Sequence, residues 1–266
     1  MPTSSSTPQE ETHQRLKVLA KFFSDYAGAL LSSAASTMRI ERTLQQMAES
    51  WQVKAEFTIL PTNVILNLWD LSGEHSYTCI SPIGHAGINF DTITRLSRLS
   101  DEVFTQNLSL DEARERFIEV QQIPRLDGRW VLLLASLANA SFCRLFGGDW
   151  PAIFIVFIAT LFGFYLKQRL TKWKVDYRAV TIFSGLTAAV ISCAGFVFHL
   201  SDTPDIALTT SVLYLVPGVP FCNSVSDLIY GHYICAMSRF FHAMMIVVSL
   251  SIGLCLGLML INISML

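Results

Sequence analysis

At Arg129 the chain changes character. The residues before it have ordinary soluble composition; those after it are almost wholly apolar, in long blocks separated by short polar joints. Five blocks can be drawn, over about 130–146, 151–166, 179–200, 206–221 and 240–263. A transmembrane helix needs roughly 20 apolar residues, with about 17 as a floor. The third and fifth blocks pass easily and the other three are marginal. As buried helices of a soluble core, five such blocks would leave almost no polar surface for water, and the joints are too short to hide them. The hydrophobic fraction of 52% and charged fraction of 15% agree, because most of the charge precedes Arg129.

Basic residues orient the blocks. Arg114, Arg116, Arg125 and Arg129 precede the first; Lys167, Arg169, Lys172, Lys174 and Arg178 fill the joint between the second and third; Arg239 precedes the fifth. The joints Gly147–Asp149 and HLSDTPD contain no Lys or Arg, and nothing basic follows the fifth block. Lys and Arg gather on the cytoplasmic side of membrane proteins. The expected topology is a cytoplasmic N-terminus, five spans and a C-terminus outside. Five is odd for a transporter built from two equivalent halves, which hints at a missing half.

The expected fold class is an α+β cytoplasmic N-terminal domain followed by an all-α five-helix transmembrane bundle. Residues 1–9 read as a disordered tail, 10–123 as the α+β domain, 124–129 as a linker and 130–266 as the membrane domain. In the front domain, Leu16, Leu19, Ala20, Phe23, Ala27 and Leu30 recur at helical spacing, and Ile40, Leu44 and Met47 mark a second helix. Residues 64–80 read as a hairpin. Ser109 with Glu112 forms a capping box that opens a helix at Leu110. Glu74, His75, His85 and Asp91 are the only candidates for chemistry there. They match no zinc motif, phosphate loop or nucleophile elbow, nor does a set assemble around Ser81 and His85. The chain therefore reads as a non-enzyme, and the front domain as regulatory, assembly or pore-lid structure. The six cysteines have no close CxxC spacing and read as small buried hydrophobes. No metal or cofactor is implied. No dense basic face points to nucleic acid, and the polar stretch MPTSSSTPQEE lacks the basic start and apolar core expected of a signal peptide.

In the apolar half, small residues recur in the first, third and fifth blocks, as close helix packing in lipid requires. Arg144, at the outer end of the first block, either snorkels to headgroups or attracts an anion, with Asp149 as a further partner to consider. The most unusual stretch is PGVPFCNSVSDLIYGHY, from Pro217 to Tyr233. Pro217, Gly218 and Pro220 interrupt an apolar run, and Asn223, Ser224 and Asp227 follow at once. One reading is an ordinary inner loop after a proline-terminated helix. The other is a broken helix lining a translocation path, since unwound backbone at membrane depth survives only against protein or a water-lined cavity. Asn223 and Asp227, four apart, share a helical face.

Four segments carry a likeness to a known family: GIN at 87–89, FCRLFGGDW at 142–150, TPDIALTTSVLYLVPG at 203–218 and LVPGVPFCNSVSDLIYGH at 215–232. With these the chain resembles the threonine/serine exporter family in its split form. Phe57-Thr58-Ile59 and the Phe90-Asp91 pair depart from the family's pattern. The resemblance implies a bacterial inner-membrane exporter of small metabolites that works with a smaller YjjB-type membrane subunit. It also implies succinate as substrate, with threonine or serine as the alternative; self-association is left open. On that reading Asn223, Ser224 and Asp227 contact substrate or a coupling proton, and Arg144 and Arg239 offset the charge of an organic acid. A membrane-bound hydrolase using the front domain and a non-transporting scaffold are the readings from other classes.

Overall fold

A computed structural model of the protein describes residues 8–84, 87–124 and 126–261. Residues 1–7 of the expected tail, His85 and the last residues of the fifth block lie outside these. The described residues form two compact units. The first takes the chain up to Pro124 and again Val219–Phe240; the second takes the intervening stretch to Gly218 and the chain from Phe241 onward.

The first unit is built on α1 (Pro8–Ser32) and α2 (Thr37–Ser50), a sheet of β1 (Lys54–Ile59), β2 (Asn63–Trp69) and β3 (Ser76–Pro82), and then α3 (Phe90–Gln106) and α4 (Leu110–Gln122). The sheet is antiparallel in the order β1-β2-β3, with Leu66 opposite Phe57 on one side and Cys79 on the other. Burial alternates along β2, where Val64, Leu66 and Leu68 face the core. The periodic residues of α1 and α2 supply the other side: Leu16, Phe23, Tyr26, Leu30, Ile40, Leu44 and Met47 are all fully or nearly fully buried. The Tyr26 hydroxyl donates to the Leu96 carbonyl. Burial pushes its phenol far above the ordinary tyrosine range. The β2–β3 turn closes where Gly73, at φ +77°, donates to an Asp70 oxygen at 2.8 Å. Ser109 and Glu112 form a reciprocal cap at the start of α4.

The second unit contains α5 (Gly128–Leu145), α6 (Trp150–Lys172), α7 (Tyr177–Ser192), the single turn α8 (Ala194–Val197), α9 (Pro204–Ser211) and a 3-10 turn at Leu213–Leu215. Two further helices, α10 (Gly218–Ile229) and α11 (Tyr233–Leu260), each contribute to both units. Large apolar side chains such as Phe154, Phe162, Phe183, Ile252 and Leu256 point outward and are 43% to 65% exposed. That surface suits lipid rather than water.

The expected fold class is corrected in two respects. The α+β unit is not purely N-terminal, because Val219–Phe240 returns to it. Nor is the remainder a five-helix bundle: beyond Asp127 the described residues form seven α-helices and a 3-10 turn. Of these only α6 and α11 are long and apolar enough to cross a membrane. A third is gained if Pro204–Leu215 and Gly218–Ile229 count as one broken span. The physical reason is that an apolar run reports composition, whereas helix length depends on an unbroken chain of backbone donors. The third block ends its main helix at Ser192. The fourth breaks where Pro217 lacks an N–H and holds Val216 extended, at φ −65° and ψ 126°.

Candidate functional site

Several polar side chains of the first unit converge on the joint between α1 and α2. A helix leaves its last carbonyls and first N–H groups without partners inside the helix. Here Ala34, at φ +68°, turns the chain sharply, and the N-cap residue Ser36 makes no side-chain cap bond. The missing partners come from α10 and α11. The Asn223 amide donates to the Ala34 carbonyl at 2.8 Å, and an Arg239 Nη2–H donates to the Ala35 carbonyl at 2.9 Å. Asp227 caps α2 from across the chain: one of its oxygens accepts from Thr37 N at 3.0 Å and the other from the Thr37 hydroxyl at 3.1 Å. A carboxylate at a helix N-terminus also meets the positive end of the helix dipole.

Arg239 neutralises this carboxylate. Its Nη1 lies 3.0 Å from Asp227 Oδ2, an ion-pair contact that lacks hydrogen-bond alignment. Asp227 is fully buried and the Arg239 side chain 17% exposed. Ser224 Oγ donates to the Ala236 carbonyl at 2.7 Å, which ties α10 to α11. His232 N, just past Gly231, donates back to the Asp227 carbonyl at 2.8 Å. His232 Nε2 also stands 3.2 Å from Glu41 on α2, and the Cys235 thiol donates to the Ile59 carbonyl at 3.2 Å.

The structure thus brings Asn223, Ser224, Asp227 and Arg239 into one network, with Pro220 at the start of the same hairpin. Pro217, Gly218 and Arg144 belong to the second unit. The front-unit partners Ala34, Ala35 and Thr37 were not foreseen. Their one signal in the sequence is the SSAAST joint, which opens a helix with no acid in its first turn. Asp91 pairs with Arg95 on an exposed face, and Glu74 and His75 lie at the β2–β3 turn.

In the second unit Arg144 donates to the Gly148 carbonyl at 3.2 Å and stacks over Trp150, its guanidinium 5.7 Å from the ring centre. It does not pair with Asp149, whose oxygens are already occupied. Asp149 caps α6 through Ala152 N at 2.8 Å, and accepts from Ser201 Oγ and Asp202 N, both at 2.7 Å, and from Thr203 Oγ1 at 3.2 Å. It staples the α5–α6 joint to the α8–α9 joint. Desolvation pushes its carboxyl upward, but the four hydrogen bonds together hold it below the ordinary aspartate range. A depressed folded pKa contributes stability that is complete above the unfolded value of about 3.9 and lost as pH falls through the folded one. The wild-type chain should therefore melt higher than Asp149→Asn near neutral pH, and the gap should shrink as pH drops below about 3.9. A gap unchanged across that window would remove the staple's electrostatic role.

A third polar set lies inside the second unit. Asn139 on α5, 4% exposed, donates to Thr160 Oγ1 on α6 at 3.1 Å, and Thr160 donates to the Ser211 carbonyl at the end of α9 at 3.5 Å.

A model of the family described as "Putative threonine/serine exporter" matches residues 21–261. The chain is 26% identical over 233 residues to the "Probable succinate transporter subunit YjjP" of Klebsiella aerogenes, covering 86% of this chain and 88% of that protein. It is 30% identical over 176 residues to the Escherichia coli protein of the same description, covering 65% and 67% respectively. With the "Probable threonine/serine exporter" of Mycobacterium tuberculosis it shares 21% identity over 237 residues, 87% of this chain and 44% of that protein. No solved structure matches the chain.

Proposed function

Since this chain belongs to the threonine/serine exporter family, we propose that it is one subunit of a two-part secondary exporter of small carboxylates, with a dicarboxylate such as succinate as the preferred cargo. The observation that carries this reading is the likeness to two proteins described as succinate transporter subunits, one of them matched over 88% of its length. The word subunit in both descriptions supports a second chain, and a smaller YjjB-type membrane protein fits that place. Threonine or serine is the second reading, favoured by the Mycobacterium tuberculosis relative.

In this proposal the chain has no enzymatic activity and sits in the bacterial inner membrane. The Lys and Arg pattern supports a front unit on the cytoplasmic side and a C-terminus on the periplasmic side. The break at Val216, Pro217 and Gly218 lines the translocation path, as discontinuous helices do in secondary transporters. Asn223, Asp227 and Arg239 are engaged by the α1–α2 joint, and Ser224 by the Ala236 carbonyl of α11. Their role is to anchor the α10–α11 hairpin, with Pro220 shaping its start. Arg144 braces the α5–α6 joint.

The test is transport in proteoliposomes that contain the full chain alone, the smaller subunit alone, or both, against labelled succinate, threonine and serine. Succinate movement that needs both chains is the expected result. Movement of threonine or serine without succinate would select the second reading, and movement of none of the three would remove the exporter assignment for these substrates.

A further inference from the structure

Lys167 lies five residues before the end of α6, an apolar helix long enough to span a membrane. It makes no ion pair among the described residues. Its ammonium stands instead over two aromatic rings, 5.7 Å from the centre of Phe164 and 5.8 Å from that of Tyr214. Arg169, two residues on, behaves differently: it stacks on Tyr165 and Trp173, which are 50% and 67% exposed, as an interfacial cation does.

The direction of Lys167 follows from helix geometry. Thr160, Gly163 and Lys167 are spaced i, i+3 and i+7, so they share one face of α6. That face meets the segment from Ser211 to Tyr214, just before the proline break. Thr160 bonds the Ser211 carbonyl. Gly163 has no side chain where the Tyr214 hydroxyl passes, and a Cβ there would collide with it. The Tyr214 hydroxyl donates to the Ser184 carbonyl at 3.4 Å. Ser184 is fully buried, and its own hydroxyl has no hydrogen-bond partner. An ammonium thus stands over the ring of Tyr214, whose phenol reaches the backbone of a buried serine with an unpartnered hydroxyl, just before the proline break. Ring faces compensate a partly buried cation only in part, and an ionisable group on a helix long and apolar enough to span a membrane calls for a counter-charge.

We propose that Lys167 is the carboxylate-binding cation of the transport path, with Tyr214 flanking the bound anion and Ser184 offering the unused hydroxyl. The inference rests on the exporter reading and adds to it the residue that recognises the cargo. A dicarboxylate and an amino acid both present a carboxylate, so the site's chemistry is common to the two. A charge-assisted hydrogen bond from the ammonium supplies the recognition.

The experiment measures binding of labelled succinate and of labelled threonine to the full chain in proteoliposomes, with and without the smaller subunit. Unlabelled succinamide and threoninamide serve as competitors without the carboxylate charge. Wild type should prefer an acid to its amide by about tenfold or more, the order expected for loss of a charge-assisted bond. Lys167→Gln should abolish that preference and Lys167→Arg should retain part of it. A response to succinate alone identifies a dicarboxylate site and a response to threonine alone an amino-acid site; either supports Lys167 as the carboxylate ligand. Acid binding by Lys167→Gln equal to wild type, or a wild type that does not distinguish acid from amide, overturns the assignment and leaves the exporter reading standing. A wild type that binds neither acid in either arrangement overturns the exporter reading, and this inference with it.

Discussion

Asp227→Ala should destabilise the first unit by about 3–5 kcal/mol, the range for removing one partner of a buried ion pair. The substitution leaves the Arg239 guanidinium, 17% exposed, without its counter-charge. It also strips the first turn of α2 of its cap, because Ser36 makes no side-chain bond that could take over. Asp227→Asn should be milder, since an amide oxygen can still accept from Thr37 N. Replacing both Asp227 and Arg239 by apolar residues of similar volume should cost less than Asp227→Ala alone, because a charge left by itself is worse than no charge. Thermal unfolding of the full chain in detergent gives the ranking. Limited proteolysis at Ser33–Ser36 reports whether the joint has opened. An Asp227→Ala chain that melts with wild type and resists cleavage would falsify the anchoring role.

Gly253→Leu should prevent α7 and α11 from packing within the second unit. A Cβ at Gly253 falls 3.1 Å from both the carbonyl carbon and the Cα of Ile182, and closer still to the Ile182 oxygen. These are backbone atoms, so no side chain can swing away, and the helices must separate. Overpacking a fitted core costs about 1–3 kcal/mol and sometimes more, and lipid offers little hydrophobic drive to hold separated helices together. Even Gly253→Ala should lower the melting temperature. Gly28→Ala is the control: nothing lies within 4 Å of a Cβ there, and the residue is inside α1. That change should be neutral or stabilising by up to about 1 kcal/mol. Equal melting of Gly253→Ala and wild type would mean that the two helices do not meet at this residue.

Much of the first unit was legible because its signals are local. The apolar spacing of α1 and α2, the alternation along β2 and the Ser109–Glu112 box each depend on residues a few positions apart. The polar run from Asn223 to Asp227 was also conspicuous, and its i,i+4 spacing does place both side chains toward one set of partners. Those partners could not be read. Ala34, Ala35 and Thr37 lie about 190 residues away, as the 190-residue separation of Asp227 and Thr37 shows, and two of the three contribute only backbone oxygens. No side-chain identity announces an unpaired carbonyl. Lys167 was missed for a related reason. It was counted among the basic residues of a joint, and only the course of α6 turns it toward Tyr214 while Arg169 turns away.

The sequence by itself determined that the second half of the chain is apolar, where Pro217 must break it, and which residues form the core faces of the front helices. These follow from composition, a missing N–H and short-range periodicity. Only the tertiary structure decided that Val219–Phe240 leaves the apolar half and joins the α+β unit. Five apolar blocks do not become five helices because an apolar run reports composition, while helix length depends on unbroken backbone hydrogen bonding. Burial of a charge is settled by the groups that meet it, and Asp227 becomes an anchor only because Arg239, Thr37 and an uncapped helix come to the same place.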